Sequence, residues 1–265
     1  MIDFSGLDYR QYCLNNGINE LPLIEMDIDS YGELDKKKVE KWATIDPNNK
    51  IPLPPELDDL IRLHYIVRCR KVRTILEFGG GKSTSVFADA IRQNKLDYAD
   101  RVSNELRIAN PFEIHSIENN AEWKNRVEKK LNNHENVNLH LCSLHMGEFN
   151  SRVCTYYHDI PNIRPDLIYL DGPDQFSVTG DVRGLHTRHL DRMPMAADIL
   201  TIEHFLEPGT LIVVDGRTAN ARFLKSNFQR NWDYQFYPEF DQHFFELNEE
   251  PLGQWNATAI QFTSD

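Results

Sequence analysis

From residue 73 onward the chain alternates short apolar runs with amphipathic helical stretches, an order that few folds accept. Arg73–Phe78 (RTILEF) is apolar and ends in Gly79-Gly80-Gly81, and Lys82–Gln93 follows with helical spacing. Glu113–Glu118 reads as a second strand. Asn120–Leu131 reads as a helix with Trp123, Val127 and Leu131 on one face, and Val137–Cys142 as a third strand. Asp166–Asp171 and Thr210–Asp215 are two further apolar runs, with helical patterns over Met195–Phe205 and Ala219–Arg230. Trp232–Tyr237 and Trp255–Phe262 read as closing strands with no clear helix between them, which suits a hairpin at one sheet edge. Continuous apolar strands joined by helices predict a parallel sheet covered on both sides. The expected fold is α/β: a doubly wound, mostly parallel seven-stranded sheet with helices on both faces, an antiparallel terminal strand and an N-terminal helical or irregular cap.

Residues 1–72 form that cap or lead-in, and residues 73–265 the main domain. The cap carries Pro22, Pro47, Pro52, Pro54 and Pro55 and a charged stretch from Glu33 to Lys41. Its one good helix is Glu56–Arg70, with Pro55 suited to the N-terminus and acids in the first turn.

Composition removes several classes of function. The chain has 29 Lys and Arg against 41 Asp and Glu, a net charge of −12, so its surface repels phosphate backbones and no nucleic-acid partner is expected. No apolar run approaches the ~20 residues of a membrane span, and the opening MIDFSGLDYRQ lacks a basic and an apolar leader segment. Cys13, Cys69, Cys142 and Cys154 are scattered, which fits reduced thiols in a cytoplasmic protein. Cys142, His145, Cys154 and His158 imitate a zinc pattern only superficially: the gap between the pairs is short and Cys142 belongs to a core strand.

The segment Glu77-Phe78-Gly79-Gly80-Gly81-Lys82-Ser83-Thr84 ends a strand and opens a helix, where ligands of open α/β sheets bind. Gly81-Lys82-Ser83 hints at a phosphate loop, but Leu76 stands where that motif needs its first glycine. A dinucleotide fingerprint would need its third glycine at Thr84 and an acid much nearer than Glu118. The pattern Glu77-x-Gly79-x-Gly81-x-Ser83-Thr84, with Glu118 ending the second strand, resembles class I S-adenosylmethionine-dependent methyltransferases. The resemblance spans residues 73–262 and includes the strand–helix order. It departs at Ser83, where many members carry a third glycine.

That resemblance implies a Rossmann-like domain that binds S-adenosylmethionine. Gly79, Gly80 and Gly81 would let the backbone approach the donor's amino-acid portion, with Ser83 and Thr84 completing the motif and Glu77 bearing indirectly on the donor's amino group. A strand-end carboxylate can accept hydrogen bonds from both ribose hydroxyls, and Glu118 is placed to do so. Ser143, after the third strand, would lie near the adenine.

Asp171 and Asp215 end the fourth and fifth strands and should emerge on the same rim. In the catechol O-methyltransferase-like branch, acids here hold a divalent metal, and hard cations such as Mg²⁺ favour such oxygens. Gly216 follows Asp215 where that branch places an Asn ligand, so Asn220 would have to bend back. Without metal, Asp171 is a general-base or hydrogen-bonding residue and Asp215 a helix cap.

The long connection Gly172–Met195 lies on this rim and carries Arg183, Arg188 and Arg192 with His186 and His189 against Asp191. This local basic excess suits a phosphate or carboxylate on an acceptor. His186, His189 and His204 are base candidates because imidazole titrates near neutrality. The leading expectation is an enzyme that moves a methyl to a small molecule, at a hydroxyl oxygen of a sugar-like or phosphorylated metabolite. The alternative is a non-catalytic protein that binds an adenosine ligand or a partner on the same fold. Residues 1–72 and the terminal hairpin leave a homo-oligomer open.

Overall fold

A computed structural model of the chain describes residues 2–26, 28, 57–131, 134–189 and 192–265. Pro47, Pro52, Pro54, Pro55, the Glu33–Lys41 stretch and Asp191 lie outside the described residues. In chain order come α1 (Tyr9–Asn16), a 3-10 turn (Ile18–Glu20), α2 (Leu57–Cys69), β1 (Thr74–Phe78), α3 (Lys82–Glu105), β2 (Glu113–Glu118) and α4 (Ala121–Lys130). β3 (Val137–Leu141), β4 (Leu144–Phe149), β5 (Arg152–Tyr157) and β6 (Leu167–Leu170) follow. The chain closes with α5 (Asp198–Ile202), a 3-10 turn (Glu203–Phe205), β7 (Leu211–Asp215), α6 (Thr218–Asn227), β8 (Trp232–Tyr237), β9 (Gln242–Leu247) and α7 (Gln254–Ser264).

Seven strands form one sheet in the order β3-β2-β1-β6-β7-β9-β8. The β3-β2, β2-β1, β1-β6 and β6-β7 pairs are parallel, whereas β9 runs against both β7 and β8. The expected fold class is therefore present, with a single reversed strand near one edge. Adjacent strand residues point to opposite faces, and two apolar layers result. Ile75, Leu167, Leu211, Val213 and Phe244 face one side with α2, α3, Phe4, Cys13, Ile18 and Phe262. Leu76, Ile168, Ile212, Val214 and Phe245 face the other, with α5, α6 and the β4–β5 hairpin.

Three elements depart from the sequence expectation. Trp255–Phe262 is not a strand but lies in α7, and the hairpin partner of β8 is β9, whose core residues are His243, Phe244 and Phe245. The alternation of WNATAIQF suits a strand locally, yet tertiary contacts select the helix. Asn256 donates to the carbonyl of Pro208 at 3.1 Å and accepts from the Leu252 amide at 3.1 Å, and Phe262 is buried. The helix expected to stop at Gln93 continues to Glu105. Asn94 explains the extension: its buried amide donates to the Val67 and Val72 carbonyls, so a polar residue serves as a core anchor. The helix expected over Met195–Phe205 is confined to α5 and the 3-10 turn after it. The β4–β5 hairpin, outside the main sheet, had no counterpart in the sequence reading.

Candidate active site

In a parallel sheet every strand delivers its C-terminal residues to one rim, and here β1, β2, β6 and β7 bring the glycine turn, Glu118, Asp171 and Asp215 there. The turn leaves β1 with Gly79 at φ +97°, a backbone that L side chains rarely adopt. A Cβ on Gly79 would stand 2.8 Å from the Gly172 amide nitrogen, and one on Gly80 would stand 2.6 Å from Ser116 Oγ. The Gly79 amide donates to Ile117 O at 2.9 Å, so the turn lies directly beside the end of β2.

Glu77 shapes the turn from beneath. It is fully buried, its carboxylate accepts from the Ser83 hydroxyl and from Thr84 Oγ1 at 2.6 Å, and Thr84 Oγ1 in turn accepts from the Gly81 amide at 2.8 Å. Burial pushes the Glu77 carboxyl up to about 7, while the hydroxyls of Ser83, Thr84 and Ser116 oppose the shift and the charge of Glu118 adds to it. The hydroxyls of Ser83 and Thr84 are thus engaged within the protein, at the start of α3.

Glu118, next along the rim, is 8% exposed. Its Oε1 accepts from the Asn120 amide at 2.7 Å, and its backbone carbonyl accepts from the Cys142 amide at 2.9 Å. That bond sets Cys142-Ser143 beside it, with Ser143 exposed. Burial raises the Glu118 pKa, backbone amides of Asn120 and Asn119 lower it, and the charge of Asp174 raises it further. Trp123 stands over the turn: its Nε1 donates to Gly80 O at 2.6 Å and its ring lies 3.7 Å from where a Gly81 Cβ would be.

Asp171 leaves β6 beside the glycine turn, with its amide and that of Gly172 both bonded to Phe78 O. Its side chain is 55% exposed. Partial loss of hydration raises its pKa, Arg217 opposes the rise, and the charges of Asp215 and Glu77 add to it. Arg217 Nε lies 3.8 Å from Asp171 Oδ1, and Nη1 donates to Pro173 O at 3.0 Å. Asp215 Oδ2 accepts from the Tyr169 hydroxyl at 2.6 Å. Asn220, the candidate third metal ligand, is buried with its amide on the Ala196 backbone: Oδ1 accepts from the amide at 3.0 Å and Nδ2 donates to the carbonyl at 3.1 Å. Among the described residues no group of three His, Cys, Asp or Glu is arranged to hold a metal ion, and that includes Cys142, His145, Cys154 and His158.

The 172–195 connection follows the β4–β5 hairpin instead of hanging free. The Thr179 amide donates to Leu144 O and the Thr155 amide to Met195 O, at 2.9 and 3.0 Å, and Asn119 Nδ2 donates to Ser177 Oγ at 2.7 Å. Hairpin and connection together wall the rim. Arg188 donates to the carbonyls of Val178 and Gly180, and Arg183, Arg188 and Arg192 are all exposed. His186 is half-buried and His189 exposed on this wall. His204 belongs elsewhere: it is exposed on the 3-10 turn before β7, and its charge reaches Glu249 beyond the far end of β9.

Trp123 and Arg217 are site residues that sequence reasoning passed over. Arg217 has a signal, two residues after a strand-end acid, whereas Trp123 reads in sequence only as part of a helix face. A cavity of about 460 Å³ at the opposite, amino-terminal ends of the strands is crossed by the Arg73–Asp166 and Arg164–Glu207 ion pairs, which tie strands and loops together.

No family model and no curated protein matches the chain. Among solved structures it is similar to the SAH-bound methyltransferase of Podospora anserina: 14% identity over 94% of this chain and 99% of that one, TM-score 0.43. It is also similar to an O-methyltransferase of Bacillus cereus in complex with SAH, at 12% identity over 91% and 100% of the chains, TM-score 0.38. A third is the SAM complex of an O-methyltransferase of Streptomyces achromogenes involved in tomaymycin synthesis, at 13% identity over 92% and 100%, TM-score 0.39. What the rim can do follows from its own residues. By its strand order and its single reversed strand, the chain has a Rossmann-like α/β fold, with the glycine turn against an acid-ended second strand as the resemblance to class I S-adenosylmethionine-dependent methyltransferases implies.

Proposed function

We propose that the protein is an S-adenosylmethionine-dependent methyltransferase that acts on a small acceptor at a hydroxyl oxygen. One observation carries the reading: the Gly79–Gly81 turn abuts the end of β2, where Glu118 sits with the charge of Asp174 beside it. Negative charge at that end of the rim attracts a cationic ligand and repels polyphosphate. It therefore favours a sulfonium nucleoside over the nucleotide that Gly81-Lys82-Ser83 alone would suggest. Any side chain at Gly79 or Gly80 would collide with protein, so the turn's close packing against β2 and β6 itself requires these glycines.

When bound, the donor supplies an electrophilic methyl group. The chain's residues do the rest. Glu118 offers its carboxylate to the ribose hydroxyls, Glu77 holds the turn through Ser83 and Thr84, and Ser143 borders the adenine side. Asp171, open to the crevice and with its proton affinity raised, accepts the acceptor's hydroxyl proton as that oxygen attacks. Holding acceptor and donor in line supplies much of the rate. Exposed Arg183 and Arg192 on the wall suit an anionic acceptor, and His186 and His189 on the same wall are second candidates for the proton.

Calorimetry with S-adenosylmethionine and S-adenosylhomocysteine tests the reading. Both bind the wild type, and Glu118→Ala weakens them about a hundredfold, the loss of two hydrogen bonds to a charged acceptor. Lys82→Ala leaves their affinity unchanged. ATP binding that Lys82→Ala abolishes, with no binding of the methyl donor, overturns it. Donor binding without methyl transfer to any hydroxylated acceptor would favour the non-catalytic alternative.

A further inference from the structure

A divalent cation, which the catechol-type resemblance implies beside Asp171 and Asp215, does not suit the residues found there. The third ligand is lacking, because both atoms of the Asn220 amide are bonded to the Ala196 backbone inside the core. Asp215 Oδ2 is held by the Tyr169 hydroxyl. A fixed positive charge already stands at the rim: the Arg217 side chain is 12% exposed, with Nε 3.8 Å from Asp171 Oδ1. That Nε is buried without a hydrogen-bond partner, so the guanidinium faces the carboxylate as a charge and not as a bonded fork. Its Nη1 is tied to Pro173 O, on the loop that leaves Asp171. Chain geometry imposes this: Gly216, at φ +58°, turns the backbone after β7 so that Arg217 opens α6 beside the end of β6.

From this geometry we infer that Arg217 stands in for the metal: it is a positioning residue whose guanidinium supplies the positive charge that a divalent ion would bring to Asp171, and methyl transfer here needs no divalent cation. The inference rests on the methyltransferase reading for its catalytic half. Its structural half, the exclusion of a cation by Arg217, stands alone. A divalent ion approaching Asp171 meets the guanidinium's repulsion, whereas the acceptor hydroxyl, being neutral, does not. Arg217 also holds the Asp171 loop in place through Pro173, so that one side chain both neutralises and orients the residue facing the acceptor.

Mn²⁺ is the probe, followed by electron paramagnetic resonance, with S-adenosylhomocysteine binding measured on the same samples. The proteins are the wild type, Arg217→Lys, Arg217→Gln, Asp171→Asn and the Arg217→Gln/Asp171→Asn double variant. Wild type and Arg217→Lys should bind Mn²⁺ no better than the double variant. Arg217→Gln should bind it at least about tenfold more tightly, because removing the cation leaves the neighbouring carboxylates uncompensated. The gain should vanish in the double variant. Stoichiometric Mn²⁺ binding by the wild type that Asp171→Asn removes would overturn the inference. So would an Arg217→Gln protein with native circular dichroism and no gain. If Arg217→Gln fails to fold, wild type against Asp171→Asn still decides the matter. Failure of S-adenosylhomocysteine to bind the wild type sinks the methyltransferase reading and leaves the Mn²⁺ comparison intact.

Discussion

Buried carboxylates make this protein sensitive to pH one residue at a time, and Asp198 shows the effect most simply. It is 3% exposed, its Oδ1 accepts from the Tyr157 amide at 2.9 Å, and its Oδ2 has no hydrogen-bond partner. Burial pushes its pKa from 3.8 to about 7, against the backbone bond that favours the charge. The folded state therefore holds a proton that the unfolded state releases above pH 4. The contribution is fully present below about pH 4 and is lost as pH rises through 7. Linkage sets the loss at up to about 4 kcal/mol by pH 8. Asp198→Asn, which keeps the acceptor for Tyr157, should be more stable than the wild type at pH 8 and should lose that advantage at pH 4. Thermal melts across this range check the prediction, and parallel curves for the two proteins would refute it. At the same scale, Glu77 illustrates a residue whose type was legible and whose task was not. Its position at the end of β1 marks it in the sequence, but only the fold shows both of its oxygens occupied by Ser83 and Thr84.

At the level of elements, periodicity located the parallel strands well because the central ones, β1, β6 and β7, are buried on both faces and read as nearly uninterrupted apolar runs. β2 and β8 have the bounds expected, and β1, β3, β6 and β7 differ from expectation by only a residue or two at an end. Periodicity misled at the C-terminus, where a short amphipathic segment satisfies either period and long-range contacts choose. α7 is held by Asn256, whose side chain reaches the Pro208 carbonyl, the Leu252 amide and Glu207 Oε2 at 3.1 to 3.2 Å. Asn256→Ala strands these buried groups, and urea titration should register a loss of about 1–3 kcal/mol. A change within a few tenths would mean that α7 is anchored by Phe262 alone. The β4–β5 hairpin escaped notice for a related reason. Its strands are half-polar, and their partners are each other and the 172–195 connection, which no local pattern specifies.

Across the whole molecule, the N-terminal residues and the sheet share one apolar layer. Phe4 packs on Tyr65, Tyr237, Phe240 and Phe244, and Arg62 of α2 lies 4.0 Å over the Phe240 ring. Cys13 and Ile18 are fully buried in the layer that contains Ile75 and Leu167. Such shared burial predicts one cooperative unfolding transition. Ile18→Ala should lower the stability of the whole by roughly 2–4 kcal/mol, the cost of a cavity in a shared core. Calorimetry should show the single peak moved down; a separate early peak would mean that the lead-in unfolds independently. Among the described residues no helix is long and apolar enough to cross a membrane.

Sheet class, the succession of strands and helices from β1 to β7, and the meeting of a glycine turn with Glu118 could be read from residues alone. They depend on local propensity and on the rule that parallel strands present their ends on one rim. Which charges answer one another on that rim could not be read. Arg217 reaches Asp171, Asn220 turns into the core and Trp123 covers Gly80 only because loops distant in sequence fold back onto one another. Charge and hydrogen bonding act over a few ångströms of space, and spacing along a chain does not report that distance.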